Sequence, residues 1–242
     1  MTFPVMIPVG PWRVHPHAFF EVLAYLVAAA IFLWLRRRHG DPLTGVDRLS
    51  VVAAVFIGAL LGSRALAWFD NPGARARGLV ALMDGKTLVG GLLGGWIATE
   101  LEKRRVGIRQ ATGDLYVFPL VIGIAIGRIG CLLSGLPDGT YGTATSLPWG
   151  IDFGDGITRH PTALYESLFV IAIGLALLPV WRRNVPGHTF KLFMVSYLAF
   201  RLLVDTIKPG LALAFGLTAI QWACVCGLLY YAQWYIRERS HA

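Results

Sequence analysis

Seven long apolar runs constrain this sequence more than any other feature in it. They fall roughly at residues 17–35, 49–69, 87–99, 114–133, 163–181, 189–207 and 211–235. A helix of about 20 apolar residues spans the hydrocarbon core of a bilayer, where only helices and closed barrels satisfy their own backbone groups. Over 242 residues, 55% hydrophobic and only 15% charged, such runs leave too little polar surface for a water-soluble domain. The expectation is an all-α polytopic membrane protein with about seven transmembrane helices, one integral membrane domain over 1–242. The third run, TLVGGLLGGWIAT, is short and glycine-rich and reads as a tilted or partly re-entrant helix. The first is not a cleavable signal, because Arg36, Arg37 and Arg38 follow its apolar stretch instead of preceding it.

A net charge of +8 would point to nucleic acid in a soluble protein. Here the basic residues sit between apolar runs, so they set orientation instead, and no nucleic-acid partner is expected. The loops at 36–48 and 100–113 hold four Lys or Arg each, 182–191 holds three, and the tail beyond 235 holds two. On the other side the N-terminal stretch, 134–162 and 208–210 hold one each, and 70–86 holds three. The positive-inside rule then places the N-terminus outside and the C-terminus in the cytoplasm.

That orientation brings scattered residues to one depth. Arg64, Arg128, Arg201 and Asp205 fall near the outer ends of outward-running helices, and Glu21, Gly90, Gly91 and Glu166 near the outer ends of inward-running ones. A charge inside a membrane segment is costly unless it pairs or lines a wet cavity. One polar cavity open to the outer leaflet is the economical explanation. The loop at 134–162 is rich in glycine and reads as an extracytoplasmic cap, with LPWGIDFGDGITRH as a small hairpin.

Individual motifs leave alternatives open. GGLLGG at 90–95 serves close helix packing, or exposes backbone to a lipid headgroup. YLAFRLLVDTIK places Tyr197, Arg201, Asp205 and Lys208 along one helical stripe, where Arg201 and Asp205 either neutralise each other or serve a site. His160, next to Arg159 in RHP, is a candidate general base, and His15 and His17 share that chemistry. GKT at 85–87 is no phosphate loop, since Val80 stands where its first glycine belongs. Cys131, Cys224 and Cys226 show neither zinc spacing nor a disulfide framework, so no metal and no cofactor is expected. Cys131 lies one turn from Arg128, which favours its thiolate, although a buried, inert thiol is the commoner situation.

Taken together, IPVGPWRVHPHAFFEVLAYLVA, GALLGSRALAWF, GKTLVGGLLGG, GRIGC, LPWGIDF with RHPTALYE, SYLAFRLLVDTIKP and GLTAIQW resemble, in order, the prolipoprotein diacylglyceryl transferase family. The resemblance implies a seven-helix enzyme of the bacterial inner membrane with its active site toward the outer leaflet. Its donor would be phosphatidylglycerol or another anionic phospholipid, and its acceptor the cysteine thiol of a lipoprotein precursor. Arg128 matches the arginine of the family signature, Arg64 that of the second helix, and Arg201 the essential arginine of the sixth. Tyr197 and Asp205 stand in step with Arg201, the latter where the family has Glu, and Lys208 stands where it usually has Arg. Catalytic roles are implied for Arg128, Arg201 and His160, and substrate contacts for Arg64, Gly90, Gly91, Tyr197, Asp205, Glu166, His17 and Arg159. Three further positions depart from the family: Cys131 replaces an asparagine, Val89 a histidine, and His17 a tyrosine. A phospholipid-binding protein without catalysis, or a paralogue transferring to another acceptor, stays open as an alternative at this point.

Overall fold

The structure, a computed structural model, describes residues 2–43, 45–71, 73, 76–83, 85–183 and 185–240. Among these the chain is mostly helical, with seven long α-helices: α1 (Pro16–His39), α2 (Gly45–Asp70), α3 (Leu88–Arg105), α4 (Val117–Ser134), α5 (Thr162–Arg182), α6 (His188–Val204) and α7 (Ala219–Ser240). Two small antiparallel hairpins accompany them, β1 (Ile7–Val9) with β2 (Trp12–Val14) and β3 (Ile151–Asp152) with β4 (Thr158–Arg159). Four stretches, Pro16–His39, Gly45–Asp70, Gly113–Ser134 and Thr162–Arg182, are long and apolar enough to cross a membrane. α2 turns Phe56, Ile57, Leu60 and Leu61 outward, a surface that suits lipid and not water.

The third segment differs from its sequence reading. α3 is one continuous helix, extended to Arg105 through a TELEKRR end too polar to count as apolar. Its Glu, Leu, Lys and Arg residues are good helix formers. Two i,i+3 pairs support that end, Lys103 to Glu100 at 2.9 Å and Arg105 to Glu102 at 2.6 Å. Thr87 begins the helix, its hydroxyl accepting from the Gly90 N–H at 3.3 Å. The last two runs also shift at their edges: α6 stops at Val204 before a 3-10 turn, and α7 starts only at Ala219. Thr218 and Gln221 form a reciprocal capping box there, Gln221 N–H to Thr218 Oγ1 at 3.1 Å and Thr218 N–H to Gln221 Oε1 at 2.9 Å.

The chain divides into two compact units. The first comprises Met1–Asp41, Thr112–Phe193 and Thr206–Pro209. Within it α4 packs against α1 and α5. A Cβ at Gly130 would fall 2.7 Å from Phe20, and one at Gly174 2.7 Å from Val121, so both contacts need the missing side chain. Ser167 Oγ donates to the Ala125 carbonyl at 3.1 Å. Asp114 caps the start of α6, accepting from the N–H groups of Gly187 at 2.5 Å and Phe190 at 2.8 Å. The β3–β4 hairpin forms where the sequence suggests it. Residues 142–145 run beside its second strand through Gly142 N–H to His160 O at 2.8 Å and Thr145 N–H to Thr158 O at 2.9 Å.

The second unit comprises Pro42–Ala111, Met194–Asp205 and Gly210–Ala242. Its principal contact is α2 against α3, backbone to backbone: Gly58 and Gly62 face Gly94 and Gly90 so closely that any Cβ there would strike the partner's carbonyl. This is small-residue packing of the kind that lets membrane helices approach. α7 packs on both, with Trp96 edge-to-face on Tyr230.

Candidate functional site

The residues singled out by sequence are divided between the two units. In the first unit the arginine of GRIGC is paired. Arg128, on the last turns of α4, donates from Nη2 to Glu166 Oε1 of α5 at 3.0 Å, and the carboxylate is only 2% exposed. A buried carboxylate and guanidinium cost less together than apart, and the bond fixes the guanidinium plane. Arg128 Nη1 also lies 3.7 Å from Cys131 Sγ, one turn onward and buried.

Beside this pair, at the start of α1, His17 Nδ1 lies 2.5 Å from Asp138 Oδ1, while its Nε2 lies 3.5 Å from Glu21 Oε2. Asp138 ends a 3-10 turn, Leu136–Asp138, that left-handed glycines bracket: Gly135 at φ 70° and Gly139 at φ 66°. Those backbone angles are costly for any residue with a Cβ, and they turn Asp138 back toward α1. Burial pushes the Asp138 carboxyl up, but hydrogen bonds from His17 and from Thr140 (2.7 Å) outweigh it and hold the group below its ordinary range. His17, Cys131 and Asp138 thus form one cluster.

His160 closes the cap hairpin and meets the first turn of α5, with Nδ1 at 3.2 Å from Tyr165 Oη. Tyr165 Oη accepts from Trp149 Nε1 at 2.8 Å. Because the indole only donates, the tyrosine oxygen keeps a second lone pair that can accept from Nδ1–H, a tautomer that leaves Nε2 basic. Arg159 is held within the hairpin, with Nη1 and Nη2 on Asp155 at 2.6 and 2.7 Å and the guanidinium over the Tyr141 ring. That fork raises Arg159 and lowers Asp155 from their ordinary values.

In the second unit Arg64 Nη1 donates to the carbonyls of Met83 and of Gly85 (3.1 Å), fastening the loop that leads into α3. A Cβ on Gly90 would strike the Gly62 carbonyl, so close packing requires glycine there, whereas one on Gly91 would meet Ala59 and Ser63 of α2 at an ordinary 3.7 Å. On α6, Arg201 Nη2 donates to Asp205 Oδ1 at 2.6 Å, each side chain 4% exposed. Tyr197, one turn earlier, is fully buried. Sequence reasoning missed Asp138, hidden in a turn sequence, GLPDG, that reads as loop. Trp149, whose indole donates to Tyr165 from the same loop, is a second such residue.

The fold defines a helical membrane protein with a buried arginine–carboxylate pair in each unit and, in the first, a histidine at the end of the β3–β4 hairpin. The family model described as prolipoprotein diacylglyceryl transferase matches residues 4–237. A protein from Nitratidesulfovibrio vulgaris, named phosphatidylglycerol–prolipoprotein diacylglyceryl transferase, is 34% identical over 97% of this chain and 93% of its own. Proteins of that name from Bordetella parapertussis and Geobacter sulfurreducens are 32% and 30% identical, over 92% and 85% of this chain and 90% and 82% of theirs. The chain belongs to the prolipoprotein diacylglyceryl transferase family.

Proposed function

We propose that this protein transfers the diacylglyceryl group of phosphatidylglycerol to the cysteine thiol of a lipoprotein precursor, at the outer leaflet of the bacterial inner membrane. The family match over residues 4–237 carries this reading, together with relatives that bear the activity in their names and align almost end to end. The acceptor sulfur attacks the glycerol carbon that bears the phosphate ester. A C–S bond forms, the C–O bond breaks, glycerol phosphate leaves with the electron pair, and the thiol proton passes to a base.

Charge develops on the departing phosphate, so fixed guanidinium donors in a water-poor setting stabilise the transition state. Arg128, oriented by Glu166, fills that role, and Arg201, with Tyr197 and Asp205, stands at the family's essential sixth-helix position. His160 is the base, its Nδ1 held on the Tyr165 hydroxyl. Substrate contacts for Arg64, Gly90 and Gly91 in the second unit, and for His17 and Arg159 in the first, rest on the family match alone. The charge bias between loops supports seven spans with the first running inward, and the loop at 134–162 as an outer cap.

Purified protein in micelles, given phosphatidylglycerol and a cysteine-bearing precursor peptide, should release one glycerol phosphate for each thioether product formed. Phosphatidylglycerol binding without any glycerol phosphate release would contradict the reading and leave a lipid-binding protein.

A further inference from the structure

Two of the positions at which this chain departs from its family's motifs, His17 and Cys131, meet in space. One donor atom from each lies within 4.8 Å of the other and of an Asp138 carboxylate oxygen. We propose that His17, Cys131 and Asp138 form a binding site for a divalent transition ion of zinc's class.

The donor set fits such an ion. Thiolate, imidazole and carboxylate are the ligands that zinc takes, commonly three from protein with a fourth position for water. The imidazole has the supporting arrangement of a metal ligand: Nδ1 faces Asp138, and Nε2 faces the Glu21 carboxylate at 3.5 Å. A carboxylate behind the far nitrogen orients a ligating histidine and fixes its tautomer.

The charges suit a cation. One thiolate and one carboxylate balance a divalent ion, the half-exposed Glu21 adds a further negative charge behind His17, and the adjacent Arg128 is balanced by Glu166 at 3.0 Å. The cost is geometric. His17 Nδ1 and Asp138 Oδ1 now stand 2.5 Å apart, whereas donors on a tetrahedral zinc stand roughly 3.3–3.5 Å apart, given bonds of about 2.0–2.2 Å. The contact must open by about an ångström, and metal binding displaces any proton on the donors. His17 sits on the first turn of α1 with its side chain 26% exposed, and Asp138 lies on a short turn, so both have room to move. Cysteine spacing gave no hint of the site because its donors come from three separate segments: the start of α1, the end of α4 and the turn beyond it.

The test uses the full chain in micelles, stripped with chelator and titrated with Co²⁺, whose thiolate complexes absorb in the near ultraviolet by charge transfer. The proposal expects that band to saturate at one equivalent and to be displaced by Zn²⁺. It should survive in Cys224→Ser with Cys226→Ser, vanish in Cys131→Ser, and need several-fold more Co²⁺ in Asp138→Asn. A band that is absent from the Cys224→Ser, Cys226→Ser protein would overturn the proposal and leave a hydrogen-bonded His–Asp pair. That variant keeps the test decisive even where Cys131→Ser fails to fold.

Discussion

Arg128→Lys will insert and fold but transfer lipid about 10²–10³-fold more slowly, the loss typical of removing one preorganised donor from a transition-state anion. Lysine keeps the charge and loses the planar fork, which here reaches Glu166 with one terminal nitrogen and Cys131 with the other. An ammonium cannot hold two directions at once, so the partner carboxylate and the leaving phosphate compete for it. The check is kcat with phosphatidylglycerol saturating, beside the elution profile and thermal midpoint of the same preparation. Near-full activity in Arg128→Lys would mean that charge alone suffices and that the fork has no part in catalysis.

The second large effect is on stability. Asp205→Asn leaves the Arg201 guanidinium buried beside a neutral amide, and breaking a buried pair from one side costs about 3–5 kcal/mol. Both side chains are only 4% exposed, so solvent screens little of that. Arg201→Ala strands the carboxylate and should cost a similar amount. The paired replacement Arg201→Met with Asp205→Leu removes both charges and should recover most of the thermal midpoint, because a buried ion pair adds little net stability over apolar side chains of like volume. Its activity should stay absent. Transfer by the apolar pair at the wild-type rate would show Arg201 and Asp205 to be a local i,i+4 pair at the end of α6 and nothing more.

The apolar runs made the helices legible, since a bilayer sets both their length and their composition. The reading failed where the signal stopped being hydropathy. The charged end of α3 is helical through propensity and i,i+3 pairs, which a count of apolar residues does not register. The capping box at Thr218 and Gln221 places the true start of α7, although a bare apolar count begins it eight residues earlier. For the candidate site, residue types at helical spacing were enough to pick out Arg128, Arg201 and Asp205. Partners that lie far apart in sequence were not legible as partners. Glu166 is 38 residues from Arg128, and Asp138 reaches His17 only because two left-handed glycines fold its turn back. The glycines of GGLLGG carried two readings in sequence, and the backbone contact with Gly58 and Gly62 accounts for Gly94 and Gly90 by packing, while Gly91 and Gly95 meet α2 only at 3.4 Å or more. Val89, where the family has histidine, is 1% exposed and serves the protein interior.

The most direct measurement is made in a bacterium depleted of its own diacylglyceryl transferase and supplied with this chain. The account predicts restored growth, with lipoprotein precursors gaining the mass of one diacylglyceryl group on the acceptor cysteine. Precursors left unmodified, with the protein present in the membrane at normal level, would contradict it.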